Sequence, residues 1–249
     1  DRLSEWERRD FGAIVDGSAD KTLYQRALLD LSAYLHHHHE EKVVILLDEY
    51  DEPIHAGHVY GYAPRILEVM RVFLGAGLKS NVHLYKAVVT GILRVARESL
   101  FSGLNNLGVY SLLRPEFNTC FGFTEAEVAA LLARNGRADR LDAVRDWYSG
   151  YVFGGEVIYN PWSVLSFLDR GDERPKPYWV STSSNDLVRE LLERNALRLE
   201  PVFEALLEGG RVERILDDNV VLGEIRQNED ALWSLLVFSG YLKAAEAPD

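Results

Sequence analysis

The stretch KVVILLDEYDEPI, residues 42–54, constrains the fold most, because an apolar run leads directly into a cluster of acids. Val43 to Leu47 are five consecutive apolar residues, and four of the next five residues are carboxylates. A short apolar run bounded by polar residues predicts a buried β-strand. The end of this strand is therefore expected to present Asp48 and Glu49 on a rigid support.

A second apolar strand follows after a helix. Residues 63–78 open with Pro64 and repeat apolar residues at helical spacing, and this helix is expected to end near Gly75 and Gly77. The segment VHLYKAVVTGIL then predicts a strand that ends before Thr90. Two apolar strands separated by a helix-sized crossover indicate an α/β fold with a parallel sheet that is buried on both faces.

The pattern changes from Phe121 onward, where capped helices dominate. We place a domain boundary near residues 118–123, with an α/β core in residues 1–120 and a mostly helical lid domain in residues 121–249. Before the first strand we predict a loop and then a helix capped by Asp20. In the second half we predict helices from Thr124 to Gly136, from Asn160 to Gly171, after a cap at Ser184 or Asn185, and within 229–242. Extended pieces are predicted at 156–159 and 177–180.

Composition limits the function. Lys plus Arg number 27 and Asp plus Glu 39, so the net charge of −12 disfavours nucleic acid as a direct partner. Cys120 is the single cysteine, and no apolar run reaches membrane-spanning length. We therefore expect a cytoplasmic protein without a membrane partner. The run His36 to His39 is interpreted as native and exposed rather than as a metal site.

The acidic strand end suggests phosphoryl chemistry. In a parallel α/β sheet, ligands lie beyond the carboxyl ends of the strands. Asp48 can hold Mg²⁺ through water, and Glu49 can orient and deprotonate an attacking water, which is the Walker B arrangement of P-loop ATPases. The alternative is an ordinary strand that ends in an acidic, solvated turn, in which Asp51 and Glu52 shape the chain before Pro53.

Several further motifs occur in a fixed order. They are VILLDEYDEPI, LYKAVVTGILRVARESLFSGLNNLGVYSLL, FGFTEAEV, WYSGYVFGGEVIYNPWSVLSFL and YWVSTSSNDLVRELL. Together, over about residues 20–195, the chain resembles the AAA-ATPase-like family of bacterial proteins, a branch of the P-loop NTPases. The resemblance implies a partial AAA-like sheet followed by a lid, with ATP and Mg²⁺ as ligands.

The resemblance also implies roles for single residues. Asp48 and Glu49 match the Walker B pair, with Asp48 toward the metal and Glu49 as catalytic base. Thr90 matches a sensor 1 position, where a hydroxyl contacts the attacking water or the γ-phosphate. Arg94 and Arg97 are candidates for stabilising charge at the γ-phosphate.

One part of the pattern is missing. The sequence contains no GxxxxGK[ST] run, and the glycines Gly12 and Gly17 are followed by Ser18 and Ala19. We therefore expect a piece of the family that begins after the phosphate-binding loop. Such a piece should bind ATP weakly or not at all and hydrolyse it negligibly, whereas the complete protein would be an ATP-dependent switch.

Other functions stay open. The chain is alternatively a non-catalytic interaction module with a degenerate nucleotide site. The resemblance leaves room for a homo-oligomer, a protein partner and a fused nuclease-like domain, although Glu224 to Arg226 form only a chance match to a nuclease motif. A carboxylate-metal hydrolase built on DEYDE is the least favoured reading. The aromatic motifs are expected to form the core of the lid rather than to stack on nucleic acid, since residues 145–165 contain one Arg and no Lys.

Overall fold

The architecture is that of a computed structural model, which describes residues 3–92, 104, 106–179, 186–218 and 228–244. These residues divide into two compact units, residues 1–107 with 216–232 and residues 108–215 with 233–249. Helix α10, Glu229–Phe238, contributes residues to both units. The boundary that we predicted between residues 120 and 121 stays a prediction.

The first unit is an α/β unit built around a small parallel sheet. Its elements in chain order are α1 Glu5–Val15, α2 Lys21–His39, β1 Val43–Leu47, α3 Glu52–Tyr60, α4 Ala63–Leu78 and β2 Leu84–Val89. Strands β1 and β2 pair in parallel, and α3 and α4 form the crossover between them. The predicted strands, their parallel pairing and their crossover are confirmed.

Of the two helices before β1, one was predicted from its cap and the other was missed. Asp20 caps α2 as expected, by accepting a hydrogen bond from the Leu23 N–H. Helix α1 was missed, because residues 1–19 were expected to form a loop. Its signal was present as a capping box, in which the Ser4 side chain accepts from the Glu7 N–H and Glu7 accepts from the Ser4 N–H.

The predicted end of α4 near its glycines is confirmed, since the helix ends at Leu78, one residue after Gly77. Gly77 also serves packing. A Cβ at this position would lie 2.5 Å from a methyl carbon of Leu28 in α2, so the glycine allows α2 to approach α4 closely. Helix α2 also contacts β1, and α4 contacts β2, so this helix pair lies against the sheet.

The sheet is not buried on both faces, which corrects our prediction. Ile45 is buried, but Val44 and Leu46 are 56% and 72% exposed among the residues that the structure describes. Val44 and Leu46 share a face with their register partners Lys86 and Val88, which are also exposed. An apolar run is compatible with one covered face as well as with two, so sequence alone does not distinguish these cases.

The second unit combines helices with a small antiparallel sheet. Its elements are β3 Phe123–Thr124, α5 Glu125–Arg134, a 3-10 turn Ala138–Arg140, α6 Leu141–Tyr148, β4 Tyr151–Phe153, β5 Glu156–Tyr159, α7 Pro161–Arg170, α8 Asp186–Arg194 and α9 Ala196–Leu207. The strand order is β3-β5-β4. The helices that begin at Thr124 and Asn160 are confirmed with their caps, as is the extended piece 156–159. The extended piece 177–180 was wrong for its described part, which ends in a turn at Tyr178 and Trp179.

The aromatic motifs contribute to this unit's core only in part. Tyr148 is buried in a cluster with Val128, Leu132, Val144, Tyr159, Val164 and Phe167. Its hydroxyl donates to the Lys176 carbonyl at 2.9 Å. Trp147, Trp162 and Trp179 are each about half exposed, so the prediction of an aromatic core holds for Tyr148 and for Tyr178, which packs against the cluster, and not for these tryptophans.

Candidate functional site

The candidate site lies where β1 and β2 end side by side. Leu47 and Val89 are register partners at the ends of these two parallel strands. The ladder then continues for a further step, because the Thr90 N–H donates to the Leu47 carbonyl (2.8 Å) and the Tyr50 N–H donates to the Thr90 carbonyl (3.0 Å). The parallel pairing therefore places the residues directly after β1 next to the residues directly after β2.

Asp48 and Thr90 are in direct contact. The Thr90 hydroxyl donates a short hydrogen bond to Asp48 Oδ1, and the Glu49 N–H donates to the same oxygen at 3.1 Å. Asp48 and Glu49 are exposed, while Thr90 is partly buried. A threonine hydroxyl has a single proton, so in this arrangement it is directed to Asp48, and only the lone pairs of Oγ1 remain for a water to donate to. This differs from a sensor that donates its proton to a γ-phosphate.

Glu49 has an unusual backbone conformation. Its φ of 52° lies in the left-handed region, which residues with a Cβ enter at a cost of roughly 1–2 kcal/mol. Neighbouring bonds hold it there, since its carbonyl accepts from the Glu52 N–H at 3.1 Å. Strained non-glycine residues concentrate at functional sites, which makes this outlier an argument for a role of Glu49 beyond closing the turn.

The acidic cluster divides into exposed and buried members. Asp48, Glu49 and Glu52 are exposed, whereas Asp51 is 2% exposed and Tyr50 beside it is also buried. Sequence reasoning assigned Asp51 only to the turn before Pro53. It does begin α3, because its carbonyl accepts from the Ile54 and His55 N–H groups, both at 2.9 Å. Its side-chain contacts, however, reach the segment after β2.

The carboxylates of this site are the type of ligand that Mg²⁺ prefers. Magnesium prefers oxygen ligands and usually keeps several waters, binding through one or two carboxylates and substrate phosphates. Among the described residues, both hydrogen bonds to the Asp48 carboxylate end on Oδ1, which leaves Oδ2 for a metal-bound water. The same part of the chain contains no group of three or more His, Cys, Asp or Glu side chains that could hold a metal ion.

Two sequence-predicted residues cannot be placed. Arg94 and Arg97 lie outside the described residues, as do the proposed caps Ser184 and Asn185 and the segment Glu224 to Arg226. The glycines considered for a phosphate loop are placed, and Gly12 lies inside helix α1. A glycine within a regular helix does not form the open cradle of N–H groups that a phosphate loop requires.

The histidine run lies on the last turn of α2. His37, His38 and His39 are exposed as expected, but His36 is partly buried. His36 Nδ1 lies 2.9 Å from Nδ1 of His83, the residue before β2, and the two rings meet edge to face. His36 therefore has a structural contact that the sequence run did not predict.

The first unit is an α/β unit in which a carboxylate pair follows one parallel strand and a hydroxyl follows its neighbour. Residues 2–101 match the AAA-ATPase-like family, whose description is "Predicted AAA-ATPase". The family resemblance that the motifs indicated is thereby confirmed over these residues.

A curated relative is also similar. The chain is 30% identical over 199 residues to a protein of Azotobacter chroococcum mcd 1 described as "Uncharacterized protein in vnfD 5'region". This alignment covers 79% of the chain and 36% of the relative, so the chain spans about a third of the relative's length. No solved structure matches the chain. Within the described part of the chain, no helix combines the length and the apolar composition needed to cross a bilayer.

Proposed function

We propose that this chain carries the Mg²⁺ and water half of an ATP-hydrolysing site, and that the phosphate-binding half lies elsewhere in the complete protein. The contact between Thr90 and Asp48 at the ends of two adjacent parallel strands carries this proposal, with Glu49 next in the chain. A family described as a predicted AAA-ATPase supports the same reaction class.

Each residue has a separate task in this proposal. Asp48 would hold Mg²⁺ through a water, while the Thr90 hydroxyl and the Glu49 N–H fix Oδ1 of its carboxylate. Glu49 accepts the proton of the attacking water. Thr90 also accepts a hydrogen bond from this water. The bound metal would supply charge neutralisation at the phosphates. Arg94 and Arg97 stay candidates for the remaining charge on sequence grounds.

The test compares this chain with the complete protein that contains the phosphate-binding loop. The complete protein should hydrolyse Mg²⁺-ATP, and Glu49→Gln should retain nucleotide binding while lowering kcat by about 100-fold or more, because the base is lost. The 249-residue chain alone should show negligible turnover. Equal kcat in the wild type and in Glu49→Gln would exclude Glu49 as the base.

A second candidate function, a non-catalytic interaction module, is favoured by one observation. One face of the sheet exposes Val44, Leu46 and Val88 beside Lys86, and exposed apolar residues grouped in this way occur at binding surfaces. Titration of the complete protein with Mg²⁺-ATP distinguishes the two functions. Saturable binding that Asp48→Ala weakens supports the ATPase, and absence of binding supports the module.

A further inference from the structure

Asp51 differs from the other acids of its cluster because its carboxylate is buried. A buried carboxylate is expensive unless hydrogen bonds and charges compensate it, so it is retained only where its contacts matter. Asp51 occupies the N-cap position of α3, where Asp usually accepts a hydrogen bond from the first helical turn. Its side chain makes no such capping bond. The carboxylate is therefore used elsewhere.

Its contacts lie on the segment that follows β2. The Ile92 N–H donates to Asp51 Oδ2 at 2.9 Å. Gly91 gives the carboxylate room, because a Cβ at Gly91 would lie 2.6 Å from Asp51 Oδ1 and 2.7 Å from the Tyr50 ring. The Asp51 side chain thus spans from the loop after β1 to the backbone after β2.

The imidazole of His55 lies close to the same carboxylate. His55 Nε2, one helical turn along α3, is 3.4 Å from Asp51 Oδ2 and largely buried. At this distance the two groups attract each other when the imidazole is protonated, although their geometry is not that of a hydrogen bond.

The bond to Ile92 completes a set of crossing hydrogen bonds around Thr90. The backbone of Thr90 is fixed by Leu47 and Tyr50, and its hydroxyl contacts Asp48. Asp51 holds the chain two residues further on, at Ile92, and so restrains the backbone that carries the Thr90 side chain.

We propose, on the basis of the ATPase function proposed above, that Asp51 is a positioning residue of the hydrolytic site. Its buried carboxylate ties the segment after β2 to the segment after β1 and so holds the Thr90 hydroxyl against Asp48. Asp51 itself does not contact the substrate or the metal. Its removal therefore affects the chemical step more than nucleotide binding.

The experiment uses the complete protein and steady-state hydrolysis of Mg²⁺-ATP. Asp51→Ala should lower kcat by about 10- to 100-fold through misplacement of the site, while KM changes less than about threefold. Asp51→Asn keeps the size of the side chain and an acceptor for the Ile92 N–H, so it should recover most of the lost kcat. The exposed neighbour Glu52 provides the matched control, and Glu52→Gln should leave kcat unchanged.

A second variant covers the case in which Asp51→Ala does not fold. Gly91→Ala inserts a methyl group against Asp51 Oδ1 without removing any charge, and it should lower kcat in the same way in a protein that is folded by circular dichroism. The proposal is overturned if a folded Asp51→Ala, or Gly91→Ala in its place, keeps the wild-type kcat. It is also overturned if the loss lies in KM, or if Asp51→Asn is as impaired as Asp51→Ala.

Glu49→Gln separates this proposal from the function on which it rests. If Glu49→Gln hydrolyses ATP at the wild-type rate, the proposed catalytic role of Glu49 fails whatever Asp51 does. If Glu49→Gln is inactive and Asp51→Ala is fully active, the ATPase function stands and the positioning role of Asp51 is wrong.

Discussion

Glu49, the proposed catalytic base, has an unfavourable backbone conformation. Its φ of 52° is tolerated without strain by glycine, which has no Cβ. A chain selected only for stability would place glycine or asparagine at such a turn. A carboxylate at this turn fits the catalytic role that we propose for Glu49.

Relief of this strain should be measurable. Glu49→Gly should be more stable than Glu49→Ala by about 1 kcal/mol, because alanine keeps the Cβ and its clash. The measurement is the free energy of unfolding of the 249-residue chain in urea. Glu40, which ends α2 in the same left-handed region with a φ of 60°, provides a second site for the same comparison. Equal stability of the glycine and alanine variants at residue 49 would contradict the strain.

At the scale of elements, β1 is a strand with one covered face. Ile45 points to the side on which α2 and α4 pack, whereas its neighbours Val44 and Leu46 are exposed. Hydrophobic stabilisation follows the area removed from water, so adjacent residues of similar size contribute very differently here.

Substitutions to threonine test this alternation without changing the strand preference of the chain. Ile45→Thr should lower the free energy of unfolding by about 2 kcal/mol, since it removes buried methyl groups and buries a hydroxyl. Leu46→Thr should stay within about 0.5 kcal/mol of the wild type. The free energy of unfolding from urea denaturation provides the comparison. A loss at Leu46 as large as that at Ile45 would mean that the second face is also covered.

At the scale of the whole molecule, the pair formed by His36 and His83 joins the end of α2 to the start of β2. One imidazole must donate and the other accept, so the contact requires at least one neutral ring. Burial lowers the pKa of His83 below its ordinary value of 6.5, and the nearby His36, His37 and Lys42 lower it further.

A lowered pKa in the folded protein means that the unfolded chain takes up a proton at a higher pH than the folded one does. Stability is therefore full above about pH 6.5 and falls as the pH drops from there toward the lower pKa of the folded state. Urea midpoints at pH 7.5 and 5.5 should show this loss. The loss should be smaller in His83→Gln, which keeps a polar partner for His36 but does not titrate.

The exposed His39 of the same helix turn serves as the control, and His39→Gln should retain the full pH dependence. If His83→Gln and His39→Gln lose stability equally on acidification, the contact between His36 and His83 is not the source of the effect.

Local sequence patterns were sufficient to predict much of the fold. The caps of α2, α5 and α7, the strand at 43–47 and the parallel pairing with the strand before Thr90 were all predictable. These features depend on residues within one turn or one strand, or on the length of one crossover. The grouping of Asp48 with Thr90 was implied by the family resemblance, and it agrees with the rule that parallel strands end at the same edge of a sheet.

Contacts between distant segments were decided by the tertiary structure alone. The sequence gives no sign that Asp51 bonds 41 residues away to Ile92, that His36 meets His83, or that only one face of β1 is covered. The single proton of Thr90 could be directed to Asp48 or to a ligand, and its local sequence is the same in both cases. Periodicity and capping record what lies beside a residue in the chain, whereas burial and long-range hydrogen bonds depend on which segments the fold brings together.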